Sequence, residues 1–384
     1  MSGPGHIAML GPMGPAQIAC LSSWRRSGLR THFLHTEQQP LPRALWRIAD
    51  RYDHIGPLGG FDADCAARLG HLLEAAGSSH LSCLADQVTL NLWRYLPLLG
   101  AGTVLATAAA EVITVMESKT QQVELAKACG FDVLPTRSFR SDDRESFSIL
   151  PFPLVLRPDR ASVDPSFKAE FVEDVGELGR FLGARGSDAP PVVAQPFVSG
   201  PNVVVHGART GVGEMLPLQG YIGRLKNDGV TVMLEPWPLT EQLAQACRDF
   251  AQRARLVGVF HFDLLLDPRT DQVWFLEVNA RLGGTTAKVY ASGYDEPRAL
   301  LWAFGLSKAP EAAADGGVPV VNRLAAARCA IRAIGGKGTP VDFPFPSRSA
   351  VFWRALRASL TFRDEVLRPL RPFGTIVFLS QYLR

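Results

Sequence analysis

Glu277, Asn279 and Arg281 recur at every second position of Phe275-Leu276-Glu277-Val278-Asn279-Ala280-Arg281-Leu282-Gly283-Gly284. On a strand, alternate side chains share a face, so a carboxylate, an amide and a guanidinium point the same way. Leu276 and Val278 then face the opposite side, where Leu276→Ala costs ~2–5 kcal/mol if the leucine is fully buried. Asp263 belongs to the preceding apolar run, 259–266, which a polar connection at 267–272 joins to 273–278 as a hairpin. Asp263 can therefore pair across the hairpin with the polar face. Burying such a face without a ligand is expensive. Two carboxylates and an amide oxygen suit Mg²⁺, which completes its octahedron with phosphate and water. Arg281 would meet the anion. The same spacing also fits a solvated sheet face carrying a structural salt bridge.

A second cation is placed by helix signals. Ser118 with Gln121 forms a capping box, and Gly130 is the matching stop. Lys119 then falls in the first helical turn, where a cation opposes the helix dipole by ~0.3–1 kcal/mol. Either it is a solvated surface lysine or it has an anionic partner.

The elements that position these residues follow from periodicity. A strand at 6–10, a helix at 16–27 stopped by Gly28, a strand at 31–34, a helix at 61–76 and a strand at 81–84 predict a small doubly wound α/β domain. Ligands in such sheets sit beyond the carboxyl ends of strands, where the loop from Gly11 to Gly14 and Asp86 fall. That loop is not GxGxxG, so it does not favour a dinucleotide. Short β runs at 154–156, 169–172, 192–194 and 203–205, with helical residues at 175–182, predict a small α+β lobe. Thr240 caps a helix whose apolar face carries Leu243, Ala246, Cys247, Phe250 and Ala254. Residues 306–317 resemble a linker, 325–334 a strand, and the end a basic helical tail. The expected boundaries are 1–110, 111–305 (lobes at about 125–195 and 196–305) and 306–384.

Composition excludes other classes. The 384 residues carry 40 Lys and Arg against 37 Asp and Glu, a net charge of +3, too little to argue for nucleic acid or an anionic membrane. Six cysteines form no CxxC and have no histidine at ligand spacing, so they read as small buried hydrophobes in a reducing compartment. The start lacks a signal-peptide pattern, and the apolar stretch 99–116 contains Glu111. A soluble, cytoplasmic protein is expected.

The hairpin resembles the ATP-grasp superfamily, whose last strand ends in Glu-x-Asn-x-Arg after an upstream acidic metal ligand; here these are Glu277, Asn279, Arg281 and Asp263. Other segments agree in order from about residue 80 to 300. The helix of Lys119 resembles the family's Asp-Lys element, with Ser118 for Asp. Phe152-Pro153-Leu154-Val155-Leu156-Arg157-Pro158 resembles the strand that aims a cation at phosphates, with Arg157 as in carbamoyl phosphate synthetase-like members. Val192-Val193-Ala194-Gln195-Pro196-Phe197-Val198 resembles the adenine hinge, and Asn202 stands at the ribose-contacting position. Gln195 and Asn202 both replace a usual Glu, and the loop 159–165 lacks the glycines of a flexible lid.

The resemblance implies a doubly wound α/β domain followed by a two-lobed ATP-grasp fold. It implies ATP bound by Lys119, Arg157, Gln195, Pro196, Phe197, Val198 and Asn202, and Mg²⁺, or Mn²⁺, held by Asp263, Glu277 and Asn279. Lys119, Arg157 and Arg281 would be the catalytic cations. The implied reaction is ADP-forming: a carboxylate becomes an acyl phosphate, and an amine displaces the phosphate. The partners would be a small carboxylate and an amine, an amino acid or peptide among the options, with no nucleic acid or membrane; a homodimer stays open. Arg224, Lys226 and the Gly11–Gly14 loop are candidates for the substrate pocket. Two alternatives remain: a kinase on the same scaffold, and a nucleotide-binding protein without catalysis.

Overall fold

Strand formation at the start of the chain follows its apolar runs. The five parallel strands His6–Gly11, Arg30–His35, Arg51–His54, His80–Cys83 and Val104–Leu105 form one sheet, with His6–Gly11 at its centre. Ile7, Met9 and Phe33 are fully buried against Trp24 of the helix Pro15–Arg26. Residues 5–140, 150–160, 167, 169–185, 189–311, 317–344 and 346–366 are described by this computed structural model.

Two further sheets follow. A four-stranded antiparallel sheet has the order Arg137–Phe139, Val192–Pro196, Leu154–Pro158, Glu170–Val172, and the helix Val175–Arg185 buries Leu178 and Leu182 against it. An eight-stranded sheet is centred on Asn202–Arg209, Gly258–Asp267 and Gln272–Asn279. Strand Asp132–Val133, within the range expected for the smaller lobe, instead pairs in parallel with Gln272–Asn279.

The large sheet has two chemically different faces. Phe260, Phe262, Leu264 and Phe275 point to a core shared with Phe131 and with Phe250 of the capped helix Glu241–Arg253. The opposite face carries Asn202, Val204 and His206, registered against Leu265, Asp263 and His261. Alternation thus gives one face to the core and leaves the other for chemistry. The N-terminal unit docks near that second face. Trp24 Nε1 donates to the Pro297 carbonyl at 3.0 Å, and Ser23 Oγ donates to Asp295 at 2.5 Å.

The segment 325–334, expected as a strand, is part of the helix Arg323–Ile334, capped by Asn322. Its apolar residues Ala326, Cys329 and Ala333 recur at helical spacing and are buried, and its five alanines favour the same helix. The tail is not merely appended: Val320–Val321 and Arg363–Asp364 extend the large sheet, and a second helix spans Arg348–Thr361. The linker expected at 306–317 lies partly outside the described residues. All six cysteines are free; five are buried and Cys65 is half-buried. Among the described residues, no helix is long and apolar enough to cross a membrane.

One buried histidine makes the N-terminal sheet acid-sensitive. His32 Nε2 lies 2.8 Å from Asp53 Oδ2, yet burial pushes the imidazole pKa down to about 4. A depressed pKa means that protons bind the unfolded chain more readily. The contribution is therefore intact above pH 6.5 and is lost as pH falls through 4, by about 3 kcal/mol. Denaturant titrations at pH 7 and pH 4 should show a smaller acid loss in His32→Gln than in the parent. Parallel losses would refute the assignment.

Candidate active site

Asp263 and Glu277 face each other across the hairpin in register. A β-bulge beside them changes the expected alternation. Asp263 pairs with Glu277 but Leu264 pairs with Phe275, so Leu276 is left unpaired. Phe275 and Val278 take the core positions, while Leu276 and Glu277 both line the cavity. The expectation that Leu276 is a core residue is thereby corrected: it is half-buried at the cavity. A bulge adds one residue to one strand and re-aims its neighbours, as here. Leu276→Ala should therefore cost only roughly 1 kcal/mol of stability, whereas Phe275→Ala should cost ~3–5 kcal/mol. Equilibrium denaturation of the two variants checks this, and equal losses would contradict the bulge.

Two cations converge on Glu277. Lys119 Nζ lies 3.3 Å and Arg157 Nη1 3.7 Å from the same carboxylate oxygen. Burial alone would raise the Glu277 pKa, but Lys119 and Arg157 hold it well below the usual carboxylate range. Asp263 goes the other way: burial and the nearby Glu277 charge raise its pKa. Asn279 Nδ2 donates to Asp263 Oδ2 at 3.0 Å. Arg281 and Arg157 only partly offset burial and the Glu277 charge at Asp263, and two facing carboxylates of this kind are a donor set that fits a divalent cation.

Local capping explains how Lys119 reaches this point. Ser118 Oγ accepts from the Gln121 amide at 3.3 Å and opens the helix Lys119–Ala128. The reciprocal half of the capping box is replaced by Asp159, whose carboxylate accepts from the Thr120 amide and hydroxyl at 2.9 Å each. An anion there complements the dipole that Lys119 opposes. Buried Gln122 then clamps this helix to the strand that carries Glu277, accepting from Val278 N at 2.5 Å and donating to its carbonyl at 3.1 Å. Asp159 opens the loop expected as a lid; residues 161–165 of that loop lie outside the described residues.

The opposite end of the cavity is the hinge. The strand Val192–Pro196 leads into Phe197 and Val198, and Gln195, Pro196, Phe197, Val198 and Asn202 all line a space of about 370 Å³ together with Asp263, Glu277 and Arg157. Arg157 Nη2 donates to Gln195 Oε1 at 2.7 Å, and Gln195 Nε2 donates to Thr136 at 2.9 Å. Gln195 therefore orients the Arg157 guanidinium beside Glu277. Lys226 donates to Asn202 Oδ1 at 3.2 Å, and its burial lowers its pKa to about 8. Arg224, the other basic candidate, instead approaches Glu235 at 3.9 Å.

Lys119, Asn279 and Arg281 stand behind the cavity lining, each reaching it through a neighbour. Arg281 is committed by three groups: Nε donates to Asp86 at 2.8 Å, Nη2 to Asn279 Oδ1 at 3.2 Å, and Nη1 to the Leu282 carbonyl at 3.2 Å. It fixes the orientation of Asn279 and ties the hairpin to the helix Asp86–Arg94. Sequence reasoning placed Asp86 at a strand end without this partner. Gln122, Asp159, Thr136 and the Gly200 turn were also missed. A Cβ at Gly200 would lie 1.9 Å from the Leu266 carbonyl oxygen, so only glycine lets the hinge approach the hairpin. Only the close packing of distant segments reveals these roles.

No family model matches the chain. A carbamoyl phosphate synthase large chain, C-terminal section, from Methanopyrus kandleri is 24% identical over 185 residues, 44% of this chain. The chain spans only 33% of that relative's length. The solved ADP complex of an N5-carboxyaminoimidazole ribonucleotide synthetase superposes with a TM-score of 0.64 at 16% identity, covering 88% of each chain. The chain has the ATP-grasp fold. An L-amino acid ligase from Bacillus licheniformis shares this ATP-grasp architecture, with a TM-score of 0.57 and 15% identity over 78% of this chain and 75% of its own. The ATP-grasp scaffold accounts for the two lobes around the cavity, and the N-terminal parallel sheet precedes them as expected.

Proposed function

We propose that the chain is an ADP-forming ATP-dependent ligase, which activates a carboxylate as an acyl phosphate and couples it to an amine. One observation carries this reading: Lys119 and Arg157 converge on Glu277, opposite Asp263, in a cavity whose other end is the hinge. The names of its structural neighbours, a synthetase and an amino acid ligase, support the same class. In this reading the Pro196 carbonyl and Val198 amide meet the adenine edge, with Phe197 lining the slot. Asn202, held by Lys226, meets the ribose. Asp263, Glu277 and Asn279 would hold Mg²⁺, or Mn²⁺. That ion would supply charge neutralisation between the phosphates.

The chain's own groups do the rest. Lys119 and Arg157 turn from Glu277 toward the nucleotide phosphates, stabilising charge as it shifts to the leaving group. Arg281 keeps Asn279 and Asp263 in register. The second substrates are a small carboxylate and an amine. The Asp263–Asn279 and Gln195–Arg157 hydrogen bonds pre-organise the phosphate end. ADP release over a matrix of amino acids, small carboxylates and amines tests the proposal. Turnover should need Mg²⁺, one carboxylate and one amine together. ADP release indifferent to added amine, with a phosphorylated product, would favour a kinase and overturn the ligase reading.

A further inference from the structure

Behind Asp263 lies a second cluster that the ligase reading does not use. His206 and His261 are cross-strand partners on the two central strands, and Glu296 opens the helix Glu296–Ala303. All three side chains are buried, and one donor atom from each lies within 4.8 Å of the others. The imidazole rings stack with centroids 5.3 Å apart. His206 Nδ1 is 2.7 Å from Glu296 Oε1, and its Nε2 is 3.2 Å from the Thr285 hydroxyl. Burial alone would raise the Glu296 pKa, but His206 lowers it, so the carboxylate stays anionic.

Two atoms of this cluster have no hydrogen-bond partner among the described residues: His261 Nδ1 and Glu296 Oε2. An unmade bond at a buried polar atom is costly, and native structures usually fill such a position with water or an ion. The surroundings are also shaped for the ring. A Cβ at residue 283 would lie 2.3 Å from His261 Cε1, so Gly283 is required for the imidazole to sit there.

We propose that His206, His261 and Glu296 form a three-ligand site for a zinc-class divalent transition metal, with water in the fourth tetrahedral position. Two imidazole nitrogens and one carboxylate are zinc-type ligands, unlike the oxygen donors of the Asp263 site, and the metal would displace the proton shared between His206 Nδ1 and Glu296. With the metal on His261 Nδ1, the other ring nitrogen faces Asp263 Oδ2, 3.7 Å away. That separation is an ion-pair distance, longer than a hydrogen bond, so Asp263 lies beside the ligand ring without bonding to it. Thr285, by contrast, hydrogen-bonds the outer ring nitrogen of His206. The bound metal would hold the two central strands and the Glu296 helix together, directly beneath Asp263. His261 and Thr285 also line the cavity that holds Asp263 and Glu277, which gives metal a route to the site.

The test uses the full chain refolded with Zn²⁺ or with Co²⁺, then freed of loose metal by gel filtration. About one Zn²⁺ per chain should remain, with a raised Tm. The Co²⁺ form should show visible d–d bands of tetrahedral strength. Glu296→Gln should lose the metal. If that variant fails to fold, His261→Cys should keep Co²⁺ and add a sulfur-to-cobalt charge-transfer band. A folded parent chain that retains no Zn²⁺ and shows no d–d bands would overturn the proposal, leaving the cluster to ordered water. Retention unchanged in Glu296→Gln, or a His261→Cys spectrum without the sulfur band, would overturn it equally. None of these readouts depends on ATP turnover, so the ligase reading stands or falls separately.

Discussion

Glu277→Gln is expected to leave the chain folded and to lower Mg²⁺-dependent ADP formation by roughly 10²–10³-fold. The substitution keeps the side chain's shape and removes its charge. Glu277 is where Lys119 and Arg157 converge, and Asp263 faces it in register. Without that carboxylate, the proposed cation site keeps one acidic ligand, and two cations lose the group that positions them. Circular dichroism and denaturant titration should report a native fold, since Glu277 faces the cavity rather than the Phe275 core. Turnover at the parent rate would refute the metal assignment. Leu276→Ala, at the bulge next door, serves as the control for a local disturbance that leaves the charge untouched.

Arg157→Ala should have the second largest effect, lowering kcat/KM for ATP by about 10²-fold. Arg157 makes two contacts that alanine loses together: the ion pair with Glu277 and the hydrogen bond to Gln195. The KM for ATP should rise much more than that for the second substrate. Arg157→Lys keeps the charge but not the planar fork, so it should recover only part of the loss. Lys119→Ala should shift the ATP parameters in the same direction. Steady-state kinetics with each substrate varied in turn decides the matter. A uniform rise in every KM would indicate a structural role for the arginine.

Much of this arrangement was legible in the residues. The Asp263 and Glu277 strands, their hairpin and the capped helix of Lys119 all carry local signals: alternation, a polar turn and a serine cap. Such signals act within a few residues, and the structure keeps them. The bulge at Leu276 was not legible, because alternation gives Leu276 and Phe275 no means to exchange faces. It is decided by Phe275 packing against Phe131 and Phe250, residues far away in the chain. The segment 325–334 differs, because its helix signal is local. Its five alanines favour a helix and Asn322 caps it, so both local propensity and burial of Ala326, Cys329 and Ala333 select the helix over the two isoleucines. Asp86 falls at a strand end where ligands sit, but its bond to Arg281 and the role of Gln122 were not legible, since Arg281 and Val278 lie more than a hundred positions away from them. The His206–His261–Glu296 cluster belongs to the same category. Cross-strand register and one helix start bring it together, and no sequence spacing announces it.

Acyl-phosphate formation has a direct isotopic signature. A carboxylate oxygen attacks the terminal phosphorus of ATP, the phosphorus–oxygen bond to ADP breaks, and the amine later breaks the carbon–oxygen bond. The departing phosphate therefore carries one oxygen from the carboxylate. With the substrate pair identified by ADP release, the carboxylate is labelled with oxygen-18 and the phosphate is analysed by mass spectrometry. The account predicts a single label in each inorganic phosphate and none in ADP. Unlabelled phosphate, or label recovered in AMP, would contradict it.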